Sequence, residues 1–397
     1  MSDKLFDTHI AVTGTKGKST ILRLIQHILL CENKKVWGSF GIDGRFYNGA
    51  RIKRGSPGGE DYFKPSIKCD YILTEANSFL LKNKKYDDSL LDALVFSSFD
   101  PSEHTEIHAN KNDYLLSKRK IFNALKNNGK AIVCRDIENY REIVKDANTE
   151  NILTYGKHNN SDFRVFNTST TDMGTIFDLE YAGKKYQVKT LLIGSFNAIN
   201  IAGSIACLVC LNKIEIKKAI ELVSSFPGVL GRNNIIYDKT SDNVIVVDYA
   251  HTPESLSLVL KTWRSIFPKK HLVCIFGCGG EKSKIKRSLM GYEASKISDS
   301  VILTNDNPRS EDPKSIIADI KSNIAKKNIL VILDRSLAIK SAVASCKDSI
   351  ILIAGKGNER FIDCNGKIIP HRDWDSVLSW VLQNNHEYDV GQINYVE

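Results

Sequence analysis

Short apolar runs alternate with longer amphipathic stretches through the first third of this chain, and this rhythm constrains the fold most. The apolar runs cover residues 9–13, 71–74, 93–97 and 131–134, and the amphipathic stretches cover residues 19–30 and 112–125. Such alternation is typical of βα units, in which helices connect parallel strands and cover both faces of the sheet. The pattern predicts an α/β domain with a mostly parallel central sheet flanked by helices.

The pattern changes further along the chain. Residues 151–189 consist of short alternating pieces, which predict an antiparallel hairpin insertion or an edge region of the sheet. A second βα series follows and predicts a Rossmann-like α/β C-terminal domain; its apolar runs are residues 243–247, 272–276, 300–303, 329–333 and 350–353. A segment with Pro and Gly at residues 226–232 separates the two series. We therefore place the boundary near residues 233–242, giving domains 1–236 and 237–397.

Composition limits the classes of function. The chain has 397 residues, of which 42% are hydrophobic, so it can build real cores and is not mainly disordered. Its formal charge of +9 suits anionic ligands such as nucleotides. We expect no nucleic-acid partner, because no strip of interleaved basic and aromatic residues is present. Nine scattered cysteines lack the paired spacing of a zinc site, which favours reduced thiols in a cytoplasmic protein.

One uncharged stretch, residues 191–211, has the length of a membrane-spanning helix, which needs about 20 residues. It contains Asn197, Asn200 and Ser204, whose polar groups are costly in lipid, so a buried helix of a soluble protein is favoured. The first residues carry acids and lack the apolar centre of a secretory signal. We expect no membrane span.

A glycine-bearing loop follows the first apolar run, with the sequence Gly14-Thr-Lys-Gly17-Lys18-Ser19-Thr20. In a loop that leads from a strand into a helix, backbone N–H groups cradle phosphates, the lysine reaches the β and γ oxygens, and the serine hydroxyl coordinates Mg²⁺. The spacing departs from the general phosphate loop, because Val12 stands where that pattern has its first glycine. The strand–loop–helix context still predicts a phosphate site.

Further segments accompany this loop in a fixed order. They are Gly194-Ser-Phe-Asn197-Ala-Ile-Asn200, Gly231-Arg232, Val247-Asp248-Tyr-Ala-His251-Thr-Pro253, Phe276-Gly-Cys-Gly-Gly280 with Lys286-Arg287, and Asp306-Asn307-Pro308-Arg309. Together with the loop they resemble the Mur ligase family of ATP-dependent amide-bond ligases, and most closely its MurE type, which adds the third residue of the peptidoglycan stem peptide. The resemblance extends over nearly the whole chain, and the set is far more specific than any single motif.

The resemblance implies how ATP and Mg²⁺ are held. The residues that would bind the triphosphate are Gly14, Thr15, Lys16, Gly17, Lys18, Ser19 and Thr20. Ser19 and Glu75 would hold one Mg²⁺, although the segment after Glu75 lacks the serine and histidine of the family pattern. His104, in Glu103-His104-Thr-Glu-Ile-His108, would be a ligand of a second metal ion. At the family's spacing from His104, Lys118 matches a lysine that CO₂ converts into an anionic carbamate, which can bind or orient Mg²⁺.

For Lys118 taken alone, an ordinary lysine on a helix surface is the alternative; its register with His104 favours the carbamate. The resemblance also implies that Asn197 contacts adenine. It likewise implies that the nucleotide contacts from the second domain are Arg232, Asp248 and His251. Lys286 and Arg287 would act where the phosphates meet the acceptor carboxylate, which completes a catalytic set with Lys18, His104 and Lys118. Asn233-Asn234 replaces the residues that usually follow Gly-Arg.

The incoming amino acid is suggested by two segments, Asp306-Asn307-Pro308-Arg309 and Gly355-Lys-Gly-Asn-Glu359. In MurE-type enzymes that use meso-diaminopimelate, the arginine binds the distal carboxylate and the glutamate binds the distal amine. A guanidinium pairs with a carboxylate through two parallel hydrogen bonds, and a carboxylate suits an ammonium. The substrate-binding set is therefore Asp306, Asn307, Arg309, Gly355 and Glu359, and a diaminopimelate- or lysine-like amino acid is expected. A turn-capping role is the alternative for Arg309.

The acceptor is less defined. Full-length Mur ligases place a domain of about 100 residues before the phosphate loop to hold a UDP-sugar, whereas this loop begins at residue 14. We expect either a different small carboxylate acceptor or a protein partner that supplies acceptor binding. Three functions compete: an ATP-dependent ligase forming an acyl phosphate, a catalytically silent nucleotide-binding scaffold derived from a ligase, and, ranked last, a nucleic-acid-dependent NTPase.

Overall fold

The computed structural model describes residues 5–53, 65, 67–77, 90–100, 110–145, 147, 150–324 and 328–391. The described chain divides into two compact units, with the division between Pro227 and Gly228, inside the segment that contains Pro and Gly.

In the first unit, eleven described strands form one sheet, in the order β11-β10-β9-β8-β7-β6-β1-β5-β2-β3-β4. Their bounds are β1 Thr8–Thr13, β2 Val36–Ser39, β3 Arg45–Tyr47, β4 Ala50–Lys53, β5 Tyr71–Ala76, β6 Leu91–Phe96, β7 Leu125–Cys134, β8 Ile152–Gly156, β9 Phe163–Thr171, β10 Gly174–Tyr181 and β11 Lys184–Thr190. The seven central strands, from β9 across to β2, are parallel to their neighbours, and both edges are antiparallel. The predicted mostly parallel sheet is confirmed. Within residues 151–189, the antiparallel prediction is confirmed for β9, β10 and β11 but is wrong for β8, which pairs in parallel with β7 and β9.

The described helices of this unit are α1 Lys18–Cys31, α2 Lys111–Arg119, α3 Tyr140–Val144, α4 Ser195–Cys210 and α5 Ile216–Val223. Helix α1 buries most of its Leu and Ile side chains and packs against α4. The uncharged stretch that includes α4 is buried, as predicted, with the Ser204 hydroxyl donating to the Asn200 carbonyl oxygen at 2.9 Å. In the described part of the chain, no helix is long and apolar enough to cross a membrane.

In the second unit, seven described strands form a mixed sheet in the order β16-β15-β14-β17-β13-β12-β20, and β18 and β19 form a separate hairpin. Their bounds are β12 Asn234–Asp238, β13 Asn243–Asp248, β14 His271–Phe276, β15 Ser300–Leu303, β16 Ile329–Val331, β17 Ser349–Ala354, β18 Phe361–Cys364, β19 Lys367–Pro370 and β20 Tyr388–Gly391. The helices are α6 Pro253–Ile266, α7 Lys284–Ile297, α8 Pro313–Lys321, α9 Arg335–Ser345 and α10 Asp373–Gln383. The α/β class predicted for this part is confirmed.

The sequence pattern did not predict every element. The apolar rhythm predicts most of the central strands, but not β2, the β3–β4 edge, β12, the β18–β19 hairpin or β20. These strands are short, and several carry charged residues on exposed positions, so periodicity is weak. The predicted helix at residues 112–125 is instead α2 followed by a 3₁₀ segment, Lys120–Ala124, which leads directly into β7.

A matched pair of leucines tests the core of the first unit. Leu24 on α1 is fully buried, whereas Leu116 on α2 is 51% exposed. We expect Leu24→Ala to lower the free energy of unfolding by about 2–5 kcal/mol through lost burial and a cavity. Leu116→Ala should change it by less than about 0.5 kcal/mol. Urea unfolding followed by circular dichroism measures both; equal losses would contradict the assignment of α1 to the core.

Candidate functional site

The loop between β1 and α1 is shaped by two glycines. Gly14 has φ of +136° and Gly17 has φ of +85°, conformations that favour glycine. A Cβ atom added at Gly14 would lie 2.1 Å from the Ser97 Oγ, and one added at Gly17 would lie 2.5 Å from the Asn200 Oδ1. The loop is therefore enclosed by the end of β6 on one side and by α4 on the other, and a larger residue would displace it.

Polar groups after β6 fix this loop. The Thr15 N–H donates to the Ser98 carbonyl oxygen at 3.0 Å, and the Lys16 N–H donates to the Ser98 Oγ at 2.7 Å. The Lys16 ammonium pairs with Asp100 at 3.1 Å, and the Thr15 hydroxyl lies 3.0 Å from the Tyr114 hydroxyl. Sequence reasoning missed Ser98, Asp100 and Tyr114. Ser98 and Asp100 could have been found from their position, because they follow a strand that is parallel to β1 and ends at the same edge of the sheet.

A hydroxyl, a carboxylate and an ammonium meet beside the loop. The Ser19 Oγ donates to the Glu75 Oε2 at 3.1 Å, and the Lys18 Nζ lies 3.8 Å from the Glu75 Oε1. The Lys18 Nζ also donates to the carbonyl oxygens of Gly14 and Thr15. Hydroxyl and carboxylate oxygens are ligands that Mg²⁺ prefers, so Ser19 and Glu75 fit a magnesium site.

The start of α1 is arranged for an anion. Its first turn, which includes Thr20, carries no acidic residue, and no described side chain caps it. The unpaired N–H groups of a helix N-terminus attract negative charge. The loop, Lys18 and this helix start therefore fit the phosphates of a nucleotide.

Lys118 extends from α2 into the base of the same loop. Its Nζ donates to the Thr13 Oγ1 at 3.1 Å and to the Gly14 carbonyl oxygen at 3.0 Å, and the residue is only 1% exposed. Burial, reinforced by the charge of Lys18, holds the pKa of the Lys118 amine well below its usual range, and Glu75 opposes this shift. The reading of Lys118 as a helix-surface lysine is wrong, because the side chain is buried.

His104 and Glu103 lie outside the described residues. Within the ranges that the structure does describe, no group of three or more His, Cys, Asp or Glu side chains is placed to hold a metal ion. The second metal site therefore stays a prediction.

Asn197 lies at the start of α4 and connects that helix to the phosphate loop. Its Nδ2 donates to the Ile193 carbonyl oxygen at 2.9 Å, and its Oδ1 accepts from the Asn200 Nδ2 at 3.1 Å. Asn200 in turn lies against Gly17. Asn200 is thus a further residue of the site that the sequence reasoning left unassigned, although it stands in the quoted motif.

In the second unit, Asp248 at the end of β13 organises the turn that follows. Its two carboxylate oxygens accept from the backbone N–H groups of Asn233 and Ala250, each at 2.7 Å. Burial raises the pKa of Asp248, and the nearby Arg232 guanidinium and the two backbone donors oppose that shift. The Arg232 guanidinium lies 4.1 Å from the centre of the Tyr249 ring. His251 is exposed, with its Nδ1 2.8 Å from the Tyr249 carbonyl oxygen.

The Asn233-Asn234 pair has a structural explanation. Asn233 has φ of +55°, a conformation that Asn tolerates, and its Oδ1 accepts from the Trp263 Nε1 at 2.8 Å. The Asn234 Nδ2 donates to the Val229 carbonyl oxygen at 3.0 Å, and its Oδ1 accepts from the Gly231 N–H. The two side chains therefore fix the turn that presents Arg232.

Arg287 is held by protein groups. Its guanidinium is buried and donates to Glu311 at 2.7 and 2.8 Å, to the Asp319 carboxylate at 2.9 Å and to the Gly279 carbonyl oxygen at 3.1 Å. It thereby connects α7 with α8 and with the glycine turn after β14. Lys286 lies beside it in the first turn of α7. The catalytic assignment of both residues stays a prediction.

The segments after β15 and β17 lie side by side. The Asn307 Nδ2 donates to the Glu359 Oε2 at 2.9 Å, and the buried Lys356 Nζ donates to the same oxygen at 2.8 Å and to the Asn307 Oδ1 at 3.0 Å. A Cβ atom at Gly355 would lie 3.0 Å from the Asp306 Oδ2. The predicted residues Asp306, Asn307, Gly355 and Glu359 are thus brought together, and Lys356 is a cation that sequence reasoning missed.

Arg309 is presented by the β18–β19 hairpin. It has φ of +51°; its N–H donates to the Asp363 carbonyl oxygen at 2.9 Å, and its own carbonyl oxygen accepts from the Asn365 N–H at 2.8 Å. The Arg309 Nη1 donates to the Gly280 carbonyl oxygen. The guanidinium therefore lies beside the glycine turn after β14.

Comparisons with known proteins identify the family of this chain. Two family models match, the Mur ligase middle domain over residues 12–208 and the "Mur ligase, glutamate ligase domain" over residues 231–357. A UDP-N-acetylmuramoyl-L-alanyl-D-glutamate--2,6-diaminopimelate ligase 1 of Clostridium acetobutylicum is 34% identical over 380 residues, which cover 93% of this chain and 77% of that protein. The corresponding ligase of Aquifex aeolicus is 33% identical, covering 92% and 75%.

Solved structures of ligases share the fold of this chain. The structure of a UDP-N-acetylmuramoyl-L-alanyl-D-glutamate--2,6-diaminopimelate ligase matches with a TM-score of 0.63 and 29% identity, over 96% of this chain and 79% of that one. A pseudomurein peptide ligase type C of Methanothermus fervidus shares the fold, with a TM-score of 0.65 and 17% identity, over 89% and 77%. The chain belongs to the Mur ligase family of ATP-dependent acid–amino-acid ligases. Within that family it is MurE-like.

The Arg287 ion pairs predict a pH dependence of stability. The pKa of Glu311 is lowered from 4.5 to about 2, chiefly by its hydrogen bond with Arg287. A lowered carboxyl pKa stabilises the fold above pH 4.5, and this contribution is lost as the pH falls towards 2. We expect Arg287→Met to cost about 1–3 kcal/mol at neutral pH, less than for a fully buried pair because both carboxylates reach solvent.

Thermal melting of the wild type and Arg287→Met between pH 6 and pH 3 measures this effect. The difference should narrow as the pH falls. Lys218→Met, which removes an exposed pair with Glu221, is the control and should give a small difference at every pH. A constant difference for Arg287→Met would contradict the role of the ion pairs.

Proposed function

We propose that this protein joins the amine of a charged, diaminopimelate- or lysine-like amino acid to an acceptor carboxylate through an acyl phosphate. The observation that carries the proposal is the cluster of Asn307, Lys356 and Glu359 next to the segment that presents Arg309. The names of the relatives from Clostridium acetobutylicum and Aquifex aeolicus, both 2,6-diaminopimelate ligases, support it.

The two ends of such an amino acid match the two charged groups. The Arg309 guanidinium offers two parallel N–H donors to a distal carboxylate, and the Glu359 carboxylate accepts from an ammonium. Glu359 is held in place by Lys356 and Asn307, so it loses little conformational freedom when the substrate binds. Asp306 and Gly355 would form the floor between the two charged groups.

The first unit would hold the nucleotide. The N–H groups from Gly14 to Thr20 would surround the phosphates, and Lys18 would exchange its carbonyl partners for the β and γ oxygens. Ser19 and Glu75 would hold Mg²⁺, which when bound neutralises charge that builds on the phosphate oxygens. Asn197 would add a further nucleotide contact.

Residues of the second unit have predicted roles as well. Arg232, Asp248 and His251 stay predicted nucleotide contacts. Lys286 would add positive charge near the acceptor carboxylate, and Arg287 would hold the glycine turn.

Lys118 would carry a carbamate. The neutral amine nitrogen adds to the carbon of CO₂ and loses one proton, which leaves an N-carboxylate with one negative charge. Burial and the nearby Lys18 ammonium lower the pKa of the Lys118 amine and outweigh the opposing charge of Glu75, which favours the uncharged amine that this reaction needs. The carbamate and His104 would serve the second Mg²⁺.

The first test is a product search. The protein would be incubated with Mg-ATP, bicarbonate and isotope-labelled diaminopimelate, lysine or glutamate. One arm adds UDP-N-acetylmuramoyl-L-alanyl-D-glutamate and the other adds deproteinised extract of the source organism. We expect a labelled product together with ADP, detected by mass spectrometry, from diaminopimelate or lysine. Bound ATP without product in either arm, or a product from glutamate alone, would contradict the proposal.

Lys118→Ala tests the carbamate. We expect ligation to fall by at least about 10²-fold, as for the loss of a group that stabilises charge in the transition state, while ATP binding measured by calorimetry changes little. Added bicarbonate should not restore activity, whereas a small carboxylic acid such as propionate should restore part of it by occupying the vacated space. Ligation at the wild-type rate would exclude the carbamate.

Arg309→Ala tests recognition of the amino acid. The KM for the amino acid should rise by about 10- to 10²-fold, because a charge-assisted pair contributes roughly 1.5–3 kcal/mol, while the KM for ATP stays near its original value. Lys367→Ala removes an exposed cation from the β18–β19 hairpin, which holds the Arg309 backbone, and is the control. A parallel rise in both KM values would refute a side-chain contact with the amino acid.

A further inference from the structure

A second arginine, Arg335, is buried beneath the carboxyl ends of two strands in the second unit. It is the first residue of α9 and is only 1% exposed. Its Nε and Nη2 donate to the two carboxylate oxygens of Asp373 at 2.7 and 2.8 Å. Its Nη1 donates to the Asn305 carbonyl oxygen at 3.1 Å, and its Nη2 donates to the Ala354 carbonyl oxygen at 2.9 Å.

The two carbonyl oxygens begin the two segments that carry the candidate amino-acid site. Asn305 directly precedes Asp306, and Ala354, the last residue of β17, directly precedes Gly355. Strands β15 and β17 are not neighbours in the sheet, because β14 lies between them. The backbone ladder therefore does not join the ends of β15 and β17 directly, whereas one guanidinium does.

The hydrogen bonds of Arg335 and Asp373 extend to the residue that follows Glu359. His371 Nε2 lies 2.8 Å from the Asp373 Oδ1, and the His371 N–H donates to the Arg360 carbonyl oxygen at 3.0 Å. Both ends of the segment from Gly355 to Glu359 are thus connected to the Arg335–Asp373 pair. The attraction between two buried charges is largely offset by the cost of removing both from water, so such a pair contributes little net stability. What it supplies is a fixed geometry, because a guanidinium has five donors in a rigid plane.

We propose that Arg335, anchored by Asp373, is a positioning residue that sets the spacing between the segment carrying Arg309 and the segment carrying Glu359, and so determines the affinity for the amino acid. The proposal rests on the proposed function, in which those two residues recognise the amino acid. Arg335 itself lies beneath the site, at the backbone of both segments.

Arg335→Lys is the main test. Lysine keeps the charge, but its single nitrogen cannot bond both Asp373 oxygens and both carbonyl oxygens. We expect the KM for the amino acid to rise by about tenfold or more, as misplacement by a fraction of an ångström allows, while the KM for ATP stays within about twofold. Arg264→Lys is the matched control. Arg264 also bonds an aspartate, Asp299, and a backbone carbonyl, that of Lys270, but at the other end of β14.

A readout that needs no activity separates this proposal from the proposed function. Amide hydrogen exchange in Arg335→Lys should be faster than in the wild type at residues 305–309 and 354–359, and unchanged in β12 and β13. If the wild type forms no product while the exchange changes as expected, the proposed function fails and the coupling of the two segments stands. Unchanged exchange in both segments overturns the positioning role, as does an equal rise in both KM values or an equal effect of Arg264→Lys.

His371→Gln keeps the test available if Arg335→Lys does not fold. It removes the ring that lies against Asp373 and leaves the ion pair intact. We expect the same pattern at smaller amplitude, with faster exchange at residues 354–359 and a several-fold rise in the KM for the amino acid alone. Wild-type values of both quantities would count against the proposal.

Discussion

The parallel pairing of β1 with β5 and β6 is the constraint on which the nucleotide-binding part of this protein depends. Its register sets Val12 opposite Glu75 and Thr13 opposite Phe96, so three strands end at the same level. Because parallel strands deliver their carboxyl ends to one edge of a sheet, the loop after β1 meets Glu75 and the groups after β6. Without that register, the Ser19 hydroxyl would have no carboxylate partner.

The same principle organises the second unit, but there buried cations hold the segments that follow the strands. The ends of β14, β15 and β17 bring together a glycine turn, Arg309 and Glu359. Two buried cations stabilise this arrangement from within: Lys356 bonds side chains of the candidate site, and Arg335 bonds the backbone beneath it. A buried charge must be paired and hydrogen-bonded, so each cation restricts where its partners can lie. The geometry of the candidate site in this unit therefore depends on the spacing between segments as well as on its side chains.

Much of the fold followed from periodicity. The central strands of both sheets are continuous apolar runs, since they are buried on both faces, and such runs are visible in a sequence. The β3–β4 edge and the β18–β19 hairpin were not visible, because short edge strands keep polar residues in contact with water; β2 is buried but only four residues long. The hairpin matters for the candidate site: its backbone holds Arg309 in a left-handed conformation, φ +51°. That contact joins residues distant in sequence, and no local pattern encodes it.

The sequence by itself determined the class of the protein, through the family resemblance that its motifs carry. The phosphate loop could be recognised because its spacing is fixed by backbone geometry. The residues of the candidate amino-acid site were predicted from the resemblance. Only the tertiary structure decided which of these side chains are available. In that structure, the Lys118 side chain is buried against Thr13 and Gly14, and Arg287 is paired with two carboxylates. Arg335 lies under the ends of two strands. The reason is physical: burial and ion pairing depend on sheet order and register, which unite residues that are far apart along the chain.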